Sequence, residues 1–291
     1  MNRLRSALLV AVAAFVSAGP ALGQTTASAN RNAALRYWSA FSVMQDSAIT
    51  AEQAAELNAV LAGRAEYDDS KFSAVVGKNK LPLEIMARAT TLPDCDWGLD
   101  DSFGGDEPVE YARNALALGR LNVLYSLHLL NGGDKAAAVN AIAAGLRFSR
   151  DVANGGTLFA TLAADQLITE HLRAATFAVR TAYLSAPQRS VLSNAVARLG
   201  PDGLDWRSAV DHEFQVTRTH FPNDAQAAAA VTRIDYAYVK ALQNPSALSE
   251  VDEAIHAAPP AVARLIPLPR RVVEDKQALT AEIGQARTLL K

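Results

Sequence analysis

A single cysteine, Cys95, stands in a chain of 291 residues, so no intramolecular disulfide can form and the fold must be held by its core alone. A chain of this length can bury enough apolar surface for that. Charge of one sign is also scarce. The 28 Lys and Arg nearly balance the 30 Asp and Glu, and the basic residues are scattered, with Arg270-Arg271 the only doublet. Nucleic-acid binding needs Lys and Arg concentrated against phosphate, so no nucleic-acid partner is expected. Long hydrophobic runs are absent beyond the first twenty-odd residues; Ala225–Val231 is short and alanine-rich and reads as helix. Strand patterning is missing too, because no stretch alternates apolar and polar residues for long enough to make a strand.

The first residues carry the clearest signal. Arg3 and Arg5 precede an apolar run from Ala7 to Ala18, Gly19-Pro20 breaks it, and Ala21-Leu22-Gly23 offers small residues to a signal peptidase. This is the layout of a secretory signal peptide over residues 1–23, with cleavage before Gln24. The run falls short of the roughly 20 residues a bilayer span needs. Removing it takes away two arginines and lowers the formal net charge from −2 to −4. A periplasmic or secreted chain is expected, without stable membrane insertion after cleavage. In such a chain an odd cysteine raises intermolecular pairing or a reactive thiol, against the plainer reading of a small buried side chain, which is favoured here.

Proline is informative by where it is missing, since none occurs between Val109 and Ala186. Only Gly132-Gly133 and Gly155-Gly156 interrupt that region, and both read as helix-ending turns. Helices are expected over 107–131, 134–151 and 157–184. Asp106 before Glu107-Pro108, Asp134 and Thr157 supply N-caps. Thr50–Gln53 and Ser185–Gln188 form capping boxes for helices over 51–63 and 186–199. Further helices are expected at 31–45, 81–91, 205–220, 224–242, 246–257 and 270–290. Residues 92–106, rich in Asp and Gly, read as an ordered loop, and 258–269, with four prolines, as an extended connection packed on the core. Val272, Leu279, Ile283, Ala286 and Leu290 form one stripe of the last helix. Lys276 interrupts it where a dimer seam would want an apolar residue, so docking on the chain's own core, and a monomer, are expected. The fold class is all-α, in one domain over 24–291.

The pair 107–131 and 134–151 is a helical hairpin. Leu118-Gly119, and Ala138 followed by Ile142, resemble the small/large alternation of tetratricopeptide helices, although Asn122 stands where that repeat places an aromatic and no second copy appears about 34 residues away. A repeat-like array of antiparallel hairpins is the expectation. The run Pro93-Asp-Cys95-Asp-Trp97-Gly98-Leu99, followed by this hairpin and by a Gly-Gly-Thr157-Leu158 helix start, resembles a group of uncharacterised exported bacterial all-helical proteins. The resemblance covers residues 90–185 and implies no activity.

Candidate sites are few. Asp94, Cys95, Asp96, Trp97 and Asp100 form the most unusual composition in the mature chain, with Asp101 a fourth carboxylate beside them. Clustered carboxylates on one loop suit a hard cation such as calcium. The spacing departs from the EF-hand, however, with Gly98 at the fifth position and Gly105 in place of the closing acid. The favoured reading is structural: Trp97 and Leu99 plug the core while the aspartates make Asx turns and caps. His212, Glu213 and His220 lack the zincin spacing, and Glu213 and His220 lie about 10 Å apart along the axis. Glu253 and His256 have the Glu-x-x-His spacing of di-iron bundles without a second copy. His128 and Asp165 sit on apolar helix faces and are expected to meet as a buried pair if their helices pack. Glu170 with Arg173, and Arg207 with Asp211, read as surface ion pairs. No Gly-x-Ser-x-Gly, Ser-x-x-Lys or phosphate loop is present. A protein- or peptide-binding helical scaffold without cofactor is the leading expectation. A metal-dependent or hydrolytic enzyme using residues 94–101 or 212–220 is the alternative.

Overall fold

The computed structural model describes residues 31–45, 49–99 and 109–291. The expected signal peptide, Asp100, Asp101 and the Asp106 cap lie outside these residues. Thirteen α-helices and no strand occur among the described residues: α1 Ala33–Ser42, α2 Ala51–Leu61, α3 Ser73–Lys78, α4 Lys80–Ala89, α5 Glu110–Asn131, α6 Lys135–Ala153, α7 Leu158–Thr181, α8 Ala186–Ala197, α9 Trp206–Thr219, α10 Ala225–Gln243, α11 Leu248–His256, α12 Pro260–Ala263 and α13 Pro269–Leu289. The all-α expectation holds. The caps are made as the sequence suggests. Asp134 accepts from Ala137 N and Thr157 from Ala160 N, Thr50 and Gln53 bond reciprocally, and Gln188 reaches back to Ser185 N–H. Gly133 and Gly156 carry the positive φ angles, 84° and 73°, that stop α5 and α6. The helix expected over 157–184 ends at Thr181, because Tyr183 turns into the left-handed region at φ 48°.

Helices α5, α6 and α7 pack mutually and form the centre of the molecule. One end of this trio, with Tyr111, Leu118, Phe148 and Leu167, meets Tyr37 of α1, Met86 of α4 and Trp97. The other, with Leu124, Ile142, Ile168 and Leu172, meets Trp206 and Phe214 of α9, Tyr238 of α10 and the C-terminal helix. Burial of each such aromatic or leucine side chain stabilises by about 1.5–3 kcal/mol. The α5–α6 hairpin is present, but the contacts do not repeat it. Helix α1 packs on α4, and α13 returns to lie on α7, whereas a solenoid contacts only its neighbours. The stripe on α13 is buried, and Lys276 within it reaches Asp202 at 3.1 Å. The connection before it contains α12, whose Val262 is fully buried.

A polar knot sits inside the trio. His171 of α7 is fully buried; its Nδ1–H donates to Leu167 O at 2.7 Å. Burial lowers its pKa to about 4, so the ring is neutral and Nε2 is left as an acceptor. Nε2 lies 3.0 Å from the amide of buried Asn122, the residue that departs from the tetratricopeptide pattern. The NH2 end of that amide is the one able to donate to it. Gly145 of α6 makes room for the pair, since a Cβ there would lie 2.0 Å from His171 Nε2.

Candidate functional site: loop, dyad and cleft

The loop at 92–99 is a plug, and its anchor is a residue the sequence did not single out. Asp151, in the last turn of α6, is buried. Its Oδ2 accepts from Tyr37 OH at 2.6 Å and its Oδ1 from Arg147 Nε at 3.0 Å. Its backbone oxygen, which accepts the Asn154 backbone N–H at 3.2 Å, also accepts the Trp97 indole N–H at 2.7 Å and the Cys95 thiol at 3.6 Å. Burial raises the Asp151 carboxyl above the usual range, while Tyr37 and Arg147 pull it back. The Trp97 ring stacks on Tyr111 with centroids 4.1 Å apart and lies against Tyr37 and Phe41. Burial, with Asp151 beside it, pushes the Cys95 thiol well up, which keeps it protonated and unreactive.

The two loop carboxylates among the described residues, Asp94 and Asp96, are engaged locally. Asp94 pairs with Arg31 at 3.2 Å, and Asp96 makes an Asx turn to Gly98 N. Asn32 bonds the Asp96 backbone through both ends of its amide while capping α1. Among the described residues no group of three or more His, Cys, Asp or Glu side chains is placed to hold a metal ion. In the helix that carries the 212–220 segment Trp206 is core, Glu213 is partly buried with its carboxyl raised by burial, and His220 is exposed at the helix end. Glu253 and His256 are both exposed.

The expected pairing of His128 with Asp165 does not occur. His128 Nδ1 instead lies 2.7 Å from Oδ1 of Asp69, and that same oxygen accepts from Tyr67 OH at 3.1 Å. Asp69 belongs to a 3-10 turn at 69–71 inside a segment where no helix was expected, so no periodicity marked it as a partner. Asp165 faces α13. Its Oδ1 is buried without a partner, and burial plus the like charge of Asp275 push its carboxyl up to about 7. The pair expected between Glu170 and Arg173 is also redistributed. Glu170 is buried and accepts from Arg120 and Gln166, while Arg173 binds Glu282 of α13. Arg207 and Asp211 do pair, at 3.5 Å.

Beside the His128–Asp69–Tyr67 chain opens a cleft of about 510 Å³, within the range of ligand sites. It lies between the C-terminal ends of α5 and α7, the start of α6 and the segment 61–67. Leu61, Tyr67, Leu127, Leu130 and Phe177 give it an apolar lining. Lys135, Arg180 and Glu66 stand at its edge, and among the described residues none of the three is ion-paired. Asn131 and Thr176 add hydrogen-bonding side chains.

No protein-family model, curated protein or solved structure matches the chain. The His128–Asp69 pair has the form of an oriented base, yet no Ser, Thr or Cys lines the cleft beside it except Thr176 and Thr181. The Thr181 hydroxyl is spent on Phe177 O. Cys95 is held at the Asp151 knot.

Proposed function

We propose that this protein is an exported helical scaffold that binds a protein partner by an apolar C-terminal peptide seated in the cleft beside Tyr67. The observation that carries the reading is the combination of an apolar floor with two uncommitted cations, Lys135 and Arg180, at its edge. Apolar side chains would fill the floor, and the terminal carboxylate would meet the cations. Asn131 and Thr176 suit a peptide backbone, which needs hydrogen bonds along its length; an acyl chain has no use for them.

The test is fluorescence polarisation with labelled peptides ending in two or three apolar residues, as free acids and as amides. Free acids should bind saturably. Amidation, and separately Arg180→Glu, should each weaken binding about tenfold, the worth of one charge-assisted contact of about 1.4 kcal/mol. Phe177→Asp should abolish it. Absence of saturable binding for every apolar peptide, or binding indifferent to Arg180→Glu and Phe177→Asp, would refute the reading; so would a fatty acid that binds where the peptides do not.

A further inference from the structure

On the face of the molecule formed by α6 and α8, the two helices run together in register. Ala143, Leu146, Arg147 and Arg150 on α6 meet Val191, Asn194, Ala195 and Arg198 on α8 and its C-cap, each set spaced by three, four and seven residues. The groove between them holds a cavity of about 230 Å³. Ala143, Leu146, Val191 and Ala195 give it an apolar lining, and Arg147, Arg150 and Arg198 also line it. The Arg147 guanidinium already donates from Nε to Asp151 at 3.0 Å and from one terminal nitrogen to Leu92 O at 3.4 Å, which leaves its other terminal N–H groups for a ligand. Only one of the three arginines is neutralised: Arg147 binds the buried Asp151. Neither Arg150 nor Arg198 makes an ion pair among the described residues. Arg150 is only partly exposed, and burial together with the charges of Arg147 and Arg198 lowers its pKa. Three cations against one carboxylate leave an excess of about two positive charges around a small space, and a bound anion would relieve their mutual repulsion.

We infer that the groove between α6 and α8 is a binding site for a dianionic phosphoryl group, held by Arg147, Arg150 and Arg198. A guanidinium presents paired N–H donors that match the oxygens of a phosphoryl group, and two net charges match its dianion better than a carboxylate. Asn194 supplies a further donor. Leu146 and Val191 extend the site toward an apolar substituent, so a phosphomonoester fits the whole groove and inorganic phosphate the arginines alone. This site is separate from the cleft beside Tyr67, and the inference does not depend on what that cleft binds.

Calorimetric titration of the full chain with inorganic phosphate and with phenyl phosphate, at constant ionic strength, tests it. One equivalent of each should bind. Affinity should fall as pH drops through about 6 for phenyl phosphate, and roughly one unit higher for inorganic phosphate, where the dianion takes up a proton. Arg198→Gln removes an exposed side chain outside the ion pairs and should fold normally; it should weaken binding about tenfold, and Arg150→Gln at least as much. Tighter binding of phenyl phosphate than of phosphate would extend the site to Leu146 and Val191; equal binding would confine it to the arginines, and either result supports a phosphoryl site. No saturable binding at pH 8, affinity equal to that of acetate, or affinity unchanged in both folded variants would overturn it.

Discussion

Replacing Asp165 with Asn should make the protein more stable at pH 8 and nearly unchanged at pH 4. Asp165 stands on α7 against α13, with one oxygen buried and unpartnered and with Asp275 adding a like charge. Its carboxyl is pushed from 3.8 up to about 7, burial being the larger cause. A group held neutral in the folded state contributes stability that is fully present below its unfolded pKa and is lost as pH rises through the folded one. The native chain should therefore weaken from pH 4 to about 7 and level off above. The full interval corresponds to roughly 4 kcal/mol, and water reaching the less buried oxygen trims the expected loss to about 2–4 kcal/mol. Asn has the shape of the acid and no charge to lose. Asp151, Glu170, Glu213 and Asp235 also have raised carboxyls and slope the same way, but they are common to both proteins and cancel in the difference. Urea denaturation followed by circular dichroism at pH 4 to 8.5 gives that difference directly. Parallel curves for the two proteins, or a variant weaker at pH 8, would refute the reasoning.

Three further outcomes are expected. Trp97→Ala should cost about 3–5 kcal/mol in urea denaturation, because it empties a buried aromatic stack and removes the donor to Asp151 O. Deleting residues 270–291 uncovers the apolar surface under Val273, Leu279 and Ile283; it should lower the melting temperature by on the order of 10 °C while light scattering still reports a monomer, whereas an unchanged melt with loss of a full-length dimer would make α13 an oligomerisation element. Gly145→Ala drives a methyl into the His171–Asn122 pair and should destabilise by about 1–3 kcal/mol.

Helix positions were legible because local chemistry fixes them: the Gly-Gly turns, the Asp134 and Thr157 caps and the Ser185–Gln188 box all act within four residues. The docking face of α13 was legible for the same reason, its stripe being a property of one helix. Residues 64–80 were not, since α3 has six residues and no side-chain cap. The sites were harder still. Trp97 could be recognised as a plug by composition, but its acceptor, Asp151, lies 54 residues away and looks like any acid near a helix end. His128 found Asp69 rather than Asp165 because its partner is supplied by a short turn without periodicity. Glu170 and Arg173 looked like neighbours on one surface, yet tertiary packing gave each a partner on another helix. The groove at Arg147, Arg150 and Arg198 joins two helices whose relative placement no local pattern encodes.

Asp151 also bears on how this chain can change over time. Four side-chain donors converge on one residue from α1, the loop and α6, so its neighbours are not independent positions. Losing the Tyr37 hydroxyl or the Arg147 guanidinium alone leaves a buried carboxylate short of a partner, a loss of about 1–3 kcal/mol or more, whereas exchanging donor and acceptor together for apolar groups of the same shape can be almost neutral. Substitutions at 37, 147 and 151 should accordingly be strongly non-additive, each harmful by itself and tolerated in company. A double-mutant cycle with Tyr37→Phe and Asp151→Asn would measure that coupling, and a lineage could leave this arrangement only by moving several residues at nearly the same step.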